Sequence, residues 1–366
     1  MSQQLGEAVL TMLKPQLKAI DQGHYPAEFM HLAGRLGAFG QAVSPEYGGM
    51  GNGLRGALQA IELISQECLC TGFMAWCQVA CTWYMQNSDN LYLKKNILPQ
   101  VATGKLLGGT GLSNPMKHFA GIEKIALVAE RQPGGYVLNG LLPWVSNIGA
   151  GHHFGIAAQI QGSDEYLMAI VSDELQGLTL RCNAHFIALE GSNTFSCMFR
   201  DVFVPDELIL AAPSDAYVNR IRPGFILTQV GMGLGLVAGC LEIMVRSNQR
   251  YGHVNCFLDD CVEELSIELQ QAQSKSYQLA DLVDQQTSVD RVLFREVVQM
   301  RILASELSLR ASQSAMLHCG ARGYLQGAAV ERKLRESYFV AIVTPATKQL
   351  KKMLHDMQVQ DLATVG

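Results

Sequence analysis

The feature that most constrains the fold of this chain is a double change in its hydrophobic period. Before about residue 107 and after Pro223, apolar residues recur with a helical period, and between these stretches the period is close to two. The first helical stretch is illustrated by Ala57, Ile61, Leu63 and Ile64. The middle stretch contains short β-rich runs separated by Gly, Asn, Ser or Asp, at Ile125–Ala129, Tyr136–Leu142, Phe154–Ile160, Tyr166–Val171 and Phe195–Val204.

The last part of the chain carries the longest amphipathic stripe. We predict a bundle helix in which one face is formed by Val289, Leu293, Val297, Met300, Ala304, Leu307 and Ala311. Four charged residues, Arg291, Arg295, Glu296 and Arg301, lie off this stripe. Gly320 and Gly323 then end the helix, and another starts near Ala329. The pattern predicts three modules: residues 1–107 helical, 108–210 a central β-domain and 211–366 a helical bundle.

Composition narrows the functional classes. The 366 residues carry a net charge of −5 and no basic block, which disfavours nucleic acid as a partner. Ten cysteines at irregular spacing, without a Cys-x-x-Cys pair, indicate reduced thiols of a cytoplasmic protein. The N-terminus shows no export signal. A bundle this apolar, with 48 % hydrophobic residues, leads us to expect a homo- or hetero-oligomer.

One segment imitates a membrane span. Phe225–Val245 has a single charge, Glu242, and glycines 231, 235 and 239 at four-residue spacing. Because Gln229 and Glu242 are polar and no second span exists, we predict a helix buried in a soluble bundle.

Four motifs, in this order, point to a known family. They are the turn 45–51 (PEYGGMG) after Leu36-Gly37, the strand pair 136–140 (YVLNG) with 144–147 (WVSN), the segment 191–194 (GSNT) with 199–205 (FRDVFVP), and 319–324 (CGARGY) followed by Glu331-Arg332 and Arg335-Glu336. Together they resemble the acyl-CoA dehydrogenase superfamily. The resemblance implies a mixed, mostly α fold with an N-terminal helical domain, a central β-domain and a C-terminal four-helix bundle.

The resemblance also implies FAD as the cofactor, with a neighbouring subunit completing its site. Trp144 would be an apolar wall for the flavin, Ser146 and its N–H would meet the flavin N5 region, and Ser113 would reach the pyrimidine side. Gly320 and Gly323 would let backbone approach the pyrophosphate, and Arg250 would pair with a phosphate. Each residue also has an ordinary structural interpretation: Trp144 as core, the serines as turn residues, the glycines as a helix stop and Arg250 as a solvated side chain.

The departures from the family bear on chemistry. The family's catalytic Glu position holds Thr344, followed by Pro345, and a threonine hydroxyl cannot accept a proton near pH 7. The alternative base position, on the first bundle helix, falls near Met244 and Val245, with Glu242 one turn away as a weak candidate. The loop that touches flavin and ligand, residues 113–118 here, is two residues shorter than in the family.

The polar residues that hold CoA are also altered. An Asp and an Arg usually found early in the first bundle helix are not evident, and Gln229 is the nearest polar candidate. His152 and His153 are adjacent on a strand and face opposite ways, so we expect no metal site there.

Three functions remain open from the sequence. The first is redox chemistry on an acyl thioester, of CoA or of a carrier protein, with a non-standard or absent base. The second is a flavin-dependent monooxygenase, and the third is a non-catalytic partner subunit of an active homologue. The expected partners are an acyl thioester or other small-molecule substrate and an electron-transfer protein or flavin reductase, with no membrane.

Overall fold

The fold is described from a computed structural model, which describes residues 2–182, 184–286 and 289–365. The order of helices, then strands, then helices is confirmed, and with it the predicted fold class. The strands lie between Gly108 and Ala211, close to the range predicted for the β-domain. The division of the chain into three separately folding domains stays a prediction.

The first helical region precedes the sheet. Its helices are α1 (Ser2–Ala8), α2 (Leu17–Asp21), α3 (Ala27–Arg35), α4 (Gly53–Glu67), α5 (Leu69–Asn87) and α6 (Leu98–Ala102), with π-helical turns at Val9–Leu13 and Leu93–Ile97. The PEYGGMG motif forms a 3₁₀ turn at Pro45–Tyr47, and Gly48 follows it with φ of 79°, a left-handed conformation that favours glycine.

A mixed sheet forms the centre of the chain. Its strands are β1 (Gly108–Thr110), β2 (Leu127–Gln132), β3 (Gly135–Val145), β4 (His153–Ile160), β5 (Tyr166–Ser172), β6 (Leu178–Arg181), β7 (Phe195–Pro205) and β8 (Ile209–Ala211). They pair in the order β6-β7-β3-β2-β4-β5-β8, and β1 pairs with β4 in parallel. The five predicted runs are β2, β3, β4, β5 and β7. The three strands that we did not predict are only three or four residues long, too short to show a period.

A short helix, α7 (Ser113–Phe119), lies between β1 and β2. The helical bundle follows the last strand of the sheet. The bundle helices are α8 (Asp215–Thr228), α9 (Val230–Asn255), α10 (Val262–Gln285), α11 (Arg291–Cys319), α12 (Ala329–Ile342) and α13 (Thr347–Val365). The predicted stripe on α11 is buried, for example at Val297, Ala304 and Ala311. Two details of that prediction were wrong: Val289 precedes the helix, and Arg301 is fully buried.

The two helical regions share one hydrophobic core. A second core is formed by buried residues of the sheet region. The segment that imitates a membrane span belongs to the helical stretch Asp215–Asn255, and 94 % of its most apolar window is buried inside the protein. The prediction of a buried bundle helix is therefore confirmed, with a junction at Gln229 between α8 and α9.

The four-residue glycine spacing brings α9 against α4. A β-carbon added at Gly231 would lie 2.8 Å from the Leu58 carbonyl oxygen, and one at Gly235 would lie 2.3 Å from that of Glu62. At Gly239 the corresponding distance to the Gln66 carbonyl oxygen is 2.3 Å. Since no other residue lacks a β-carbon, only glycine permits this approach of the two backbones.

We therefore expect Gly235→Ala to lower the free energy of unfolding by about 1–3 kcal/mol, because the new methyl group forces α4 and α9 apart. Gly252→Ala is the matched control, since a β-carbon there would meet nothing nearer than 3.9 Å. On the same helix it should be neutral or stabilise by up to about 1 kcal/mol. Urea unfolding measures both, and equal effects of the two substitutions would contradict the close contact.

Candidate functional site

A cavity of about 330 Å³ lies where the sheet meets α5, α8 and the end of α12, and we call it the central cavity. Its lining residues are Phe73, Trp76, Thr110, Leu112, Ser113, Lys117, Trp144, Ser146, Phe186, Ala188, Leu189, Ser192, Thr194, Phe225, Phe339, Ile342, Val343 and Thr344. The sheet contributes the residues at the ends of β1 and β3, and α7 starts at Ser113 immediately behind β1. Residues from six stretches of the chain, 73–76, 110–117, 144–146, 186–194, 225 and 339–344, therefore meet around one space.

Hydroxyl groups form the polar part of this lining. Ser113 Oγ and Thr344 Oγ1 are 3.1 Å apart, and Thr194 Oγ1 donates to Ser146 Oγ at 2.8 Å. Thr110 and Ser192 add two further hydroxyls to the wall. Hydroxyls both donate and accept, so this wall can match carbonyl oxygens and ring nitrogens of a bound group.

Trp144 is the main apolar feature of the sheet side. It lines the cavity yet remains 42 % exposed, and its ring contacts Phe186 edge-on at 5.7 Å between centroids. A large exposed indole at a cavity wall offers a flat surface to a bound ring. The Ser146 N–H, in contrast, faces the Thr110 carbonyl oxygen at 3.4 Å, so the backbone donor expected there already has a partner.

The local chain path at β1 depends on a glycine. A β-carbon at Gly109 would lie 2.2 Å from the Ser146 carbonyl oxygen, so only glycine lets β1 run this close to the end of β3. This approach brings Ser113, just after β1, and Trp144 with Ser146, at the end of β3, to the same cavity.

Behind Thr344 lies a buried arginine without an acidic partner. Arg301 is fully buried, and among the described residues no carboxylate forms an ion pair with it. Its guanidinium donates to Gln229 Oε1 at 2.9 Å, to the Val340 carbonyl oxygen at 2.6 Å and to Ser305 Oγ. Gln229 Nε2 in turn donates to the Thr344 carbonyl oxygen at 2.9 Å. Burial without a counter-charge lowers the pKa of Arg301 to about 9.

A larger groove of about 790 Å³, the outer groove, is bordered by α8, α13 and residues 119–120 and 210–213. Its charged lining residues are Asp89, Arg220, Arg222, Arg291, Lys352 and Asp356. Arg220 pairs with Asp89 at 3.7 Å and Lys352 with Asp356 at 2.6 Å.

Arg222 differs from the other cations of the outer groove. Its buried Nε finds no acceptor among the described residues, and its guanidinium lies 4.5 Å from the centroid of the Phe294 ring. Burial lowers its pKa, as expected for a cation that has lost water without gaining an anion. The groove therefore suits an anionic group at Arg222.

The cavity and the groove adjoin the same two helices. On α7, Ser113 and Lys117 line the cavity and Phe119 lines the groove, and on α8, Phe225 lines the cavity and Arg222 the groove.

Comparison with known proteins identifies this arrangement. Residues 1–105 match the family model "Acyl-CoA dehydrogenase, N-terminal domain". The probable acyl-CoA dehydrogenase YngJ of Bacillus subtilis is 24 % identical over 349 residues, which cover 90 % of this chain and 89 % of YngJ. The glutaryl-coenzyme A dehydrogenase–glutaryl-CoA complex superposes with a TM-score of 0.88 at 22 % identity, over 98 % of this chain and 94 % of the other. The chain therefore has the acyl-CoA dehydrogenase fold, and its first 105 residues match that family's N-terminal domain.

A third relative bears on the cofactor. An acyl-CoA dehydrogenase of Bacillus anthracis complexed with FAD superposes with a TM-score of 0.86 at 18 % identity, over 99 % of this chain and 68 % of the other. The expectation of FAD, drawn from the sequence motifs, agrees with this solved complex of the same fold.

The structure brings some of the predicted site residues together. Ser113, Trp144, Ser146 and Thr344 all line the central cavity. Arg250, Gly320 and Gly323 do not: the exposed Arg250 lies over its neighbour Tyr251, and the two glycines follow the end of α11.

Glu242, the weak candidate for the base, also lies outside the cavity lining. Its carboxylate accepts from Gln66 and from Arg246, and its side chain is 43 % exposed. Among the described residues that line the central cavity, none is Asp or Glu. The described residues form no group of three or more His, Cys, Asp or Glu side chains able to hold a metal ion.

The structure adds to the sequence analysis at two polar residues. We found no arginine early in the first bundle helix, but Arg222 is on α8 and faces the outer groove. Gln229, proposed there as the polar ligand, is fully buried, and both of its amide atoms have protein partners. Arg222 precedes the apolar run that begins at Phe225, and the sequence alone gives no sign that its side chain lines a groove.

We expect Gln229→Leu to destabilise the protein by about 2–3 kcal/mol, because it leaves the buried Thr344 carbonyl and the Arg301 Nε without partners. Gln270→Leu on the exposed face of α10 is the control and should stay within about 0.5 kcal/mol of the wild type. Chemical unfolding compares the two. A Gln229→Leu variant as stable as the control would show that the network does not hold the Thr344 turn.

Proposed function

We propose that this chain is an FAD-dependent oxidoreductase that acts on an acyl thioester and has no standard carboxylate base. The observation that carries the proposal is the pairing of a hydroxyl- and tryptophan-lined cavity with a cationic groove, on the same two helices. The cavity would hold the flavin ring and the acyl group. The groove would take the phosphate-bearing arm of the thioester.

The lining of the central cavity fits a flavin. Trp144 offers a flat apolar wall, and the hydroxyls of Ser113, Ser146 and Thr194 can meet the polar edge of the ring. When bound, FAD would supply the acceptor for the electrons removed from the substrate. The solved complex of a relative with FAD supports this assignment.

Arg222 supports a phosphate-bearing thioester. A desolvated guanidinium without an anion favours a charge-assisted contact with phosphate, whose oxygens match its planar donors. CoA and the phosphopantetheine arm of a carrier protein both offer such a phosphate. The solved complex of the structurally similar glutaryl-CoA dehydrogenase holds glutaryl-CoA, which is a CoA thioester.

No carboxylate is among the described residues that line the cavity, so the proposed chemistry differs from that of a dehydrogenase with a glutamate base. Ser113 and Thr344 can donate hydrogen bonds to a thioester carbonyl, but neither hydroxyl accepts a proton near pH 7. The same observation favours a second candidate, a flavin monooxygenase, because O₂ activation does not require abstraction of an α-proton. A non-catalytic partner subunit remains the third candidate, supported by the predicted shortening of the ligand segment 113–118, which forms helix α7 in the structure.

The remaining FAD contacts would come from a neighbouring subunit of a homo- or hetero-oligomer. Arg250, Gly320 and Gly323 lie on the bundle away from the central cavity, so we propose that they face FAD bound to the neighbour. An electron-transfer protein or a flavin reductase would complete the redox cycle in the cytoplasm.

Trp144→Ala should weaken FAD binding about tenfold or more, because it removes a large flat surface from the cavity. Leu141→Ala, on the same strand and also 42 % exposed but outside the cavity lining, is the control and should retain FAD. FAD released on dilution is measured by its fluorescence. Equal retention in both folded variants would refute the cofactor assignment.

We expect negligible dehydrogenation of straight-chain acyl-CoAs with an artificial electron acceptor. A positioned general base contributes about two to four powers of ten to the rate, and no carboxylate lines the described cavity wall. Thr344→Glu should not restore turnover, since Pro345 fixes the following backbone angle. Robust wild-type turnover would contradict us, and Glu242→Gln would then show whether that residue is the base.

A further inference from the structure

The inner part of the central cavity is built from four aromatic rings. Phe73 stacks on Trp76 with 5.8 Å between centroids, and Phe339 meets Phe73 edge-on at 4.6 Å. Phe225 meets Trp76 edge-on at 5.1 Å. All four line the cavity, and they come from α5, α8 and α12. We call them the aromatic quartet.

The quartet presents carbon rather than polar atoms to the cavity. The Trp76 Nε1–H, its one polar group, donates to Thr228 Oγ1 at 3.1 Å. Phe73, Trp76 and Phe225 are each at most 5 % exposed, so neighbouring residues hold their rings in place. Fixed ring edges and faces favour a flat aromatic partner, because such a partner can repeat the edge-to-face contacts already present among the rings.

The charge and volume of the central cavity further limit the class of ligand that fits it. An aromatic enclosure can also attract a cation. Here, however, the ionisable side chain in the described lining is Lys117, and it already pairs with Glu123 at 3.5 Å, so the wall offers no free charge to a cationic or an anionic acyl group. The volume of about 330 Å³ is near the lower end for ligand sites, and the flavin ring would share it. A long flexible chain therefore has little room, and it would also lose more conformational entropy than a rigid ring.

We infer that the acyl group recognised by this protein is short, uncharged and aromatic, with its ring seated against the aromatic quartet. This inference rests on the proposed function, since it assumes that an acyl thioester reaches the central cavity.

The test is calorimetric titration of the full-length, FAD-loaded protein with 3-phenylpropanoyl-CoA, octanoyl-CoA and free CoA. We expect 3-phenylpropanoyl-CoA to bind about tenfold more tightly than octanoyl-CoA, through the added ring contacts. Phe339→Leu keeps an apolar side chain but removes one ring, and it should weaken 3-phenylpropanoyl-CoA about fivefold with little effect on octanoyl-CoA. Tyr338→Leu, on the exposed side of the same helix, is the control and should change neither affinity.

The outcomes separate the inference from the proposed function. If octanoyl-CoA binds as tightly as the aromatic thioester, or if Phe339→Leu weakens both ligands equally, the aromatic preference is overturned while the thioester site stands. If neither thioester binds more tightly than free CoA, no acyl group enters the cavity. That result overturns the proposed thioester chemistry and this inference with it.

Discussion

The architecture depends on the close contact between α4 and α9. The glycines at 231, 235 and 239 let the backbone of α9 approach that of α4. The helical regions before and after the sheet therefore form one core. Helix α5 begins two residues after α4 ends, and α8 leads into α9 through Gln229. Fixing α4 against α9 therefore also fixes Phe73 and Trp76 relative to Phe225 and Arg222, and with them the inner cavity and the groove.

A second constraint acts on the part of the cavity wall that contains Thr344. Arg301 is a buried charge held by neutral partners, an arrangement that burial penalises unless every donor is satisfied. Its contacts to Gln229 and to the Val340 carbonyl join α11, the start of α9 and the end of α12. Through Gln229 the network reaches the Thr344 carbonyl, so the turn that faces Ser113 is fixed by hydrogen bonds. The Thr344 hydroxyl, at the position predicted to replace the family's acidic residue, is therefore held in place.

These two constraints determine which chemical groups line the cavity and the groove. One side supplies hydroxyls and a half-exposed indole, the inner side supplies aromatic carbon, and the adjoining groove supplies an arginine without an anion. Under the proposed function, these surroundings would bind and orient a flat cofactor and an apolar acyl group. They provide no carboxylate from the described lining to accept a proton, so binding and positioning are more fully developed here than acid–base function.

The sequence alone determined the order of helices and strands, the buried stripe of α11 and the four motifs. The motif resemblance also led us to expect Trp144, Ser146, Ser113 and Thr344 at one site, and all four line the central cavity, while their roles toward a cofactor stay a prediction. Only the tertiary structure decided the rest. The periodicity of α11 marks one buried face, but a helix packed on several sides also buries Arg301. Nor does any local pattern show that Arg222 faces a groove or that Phe73 and Phe339, 266 positions apart in sequence, touch. Those contacts arise only when α4 and α9 close on one another, since side-chain partners across a shared core are set by packing and not by sequence spacing.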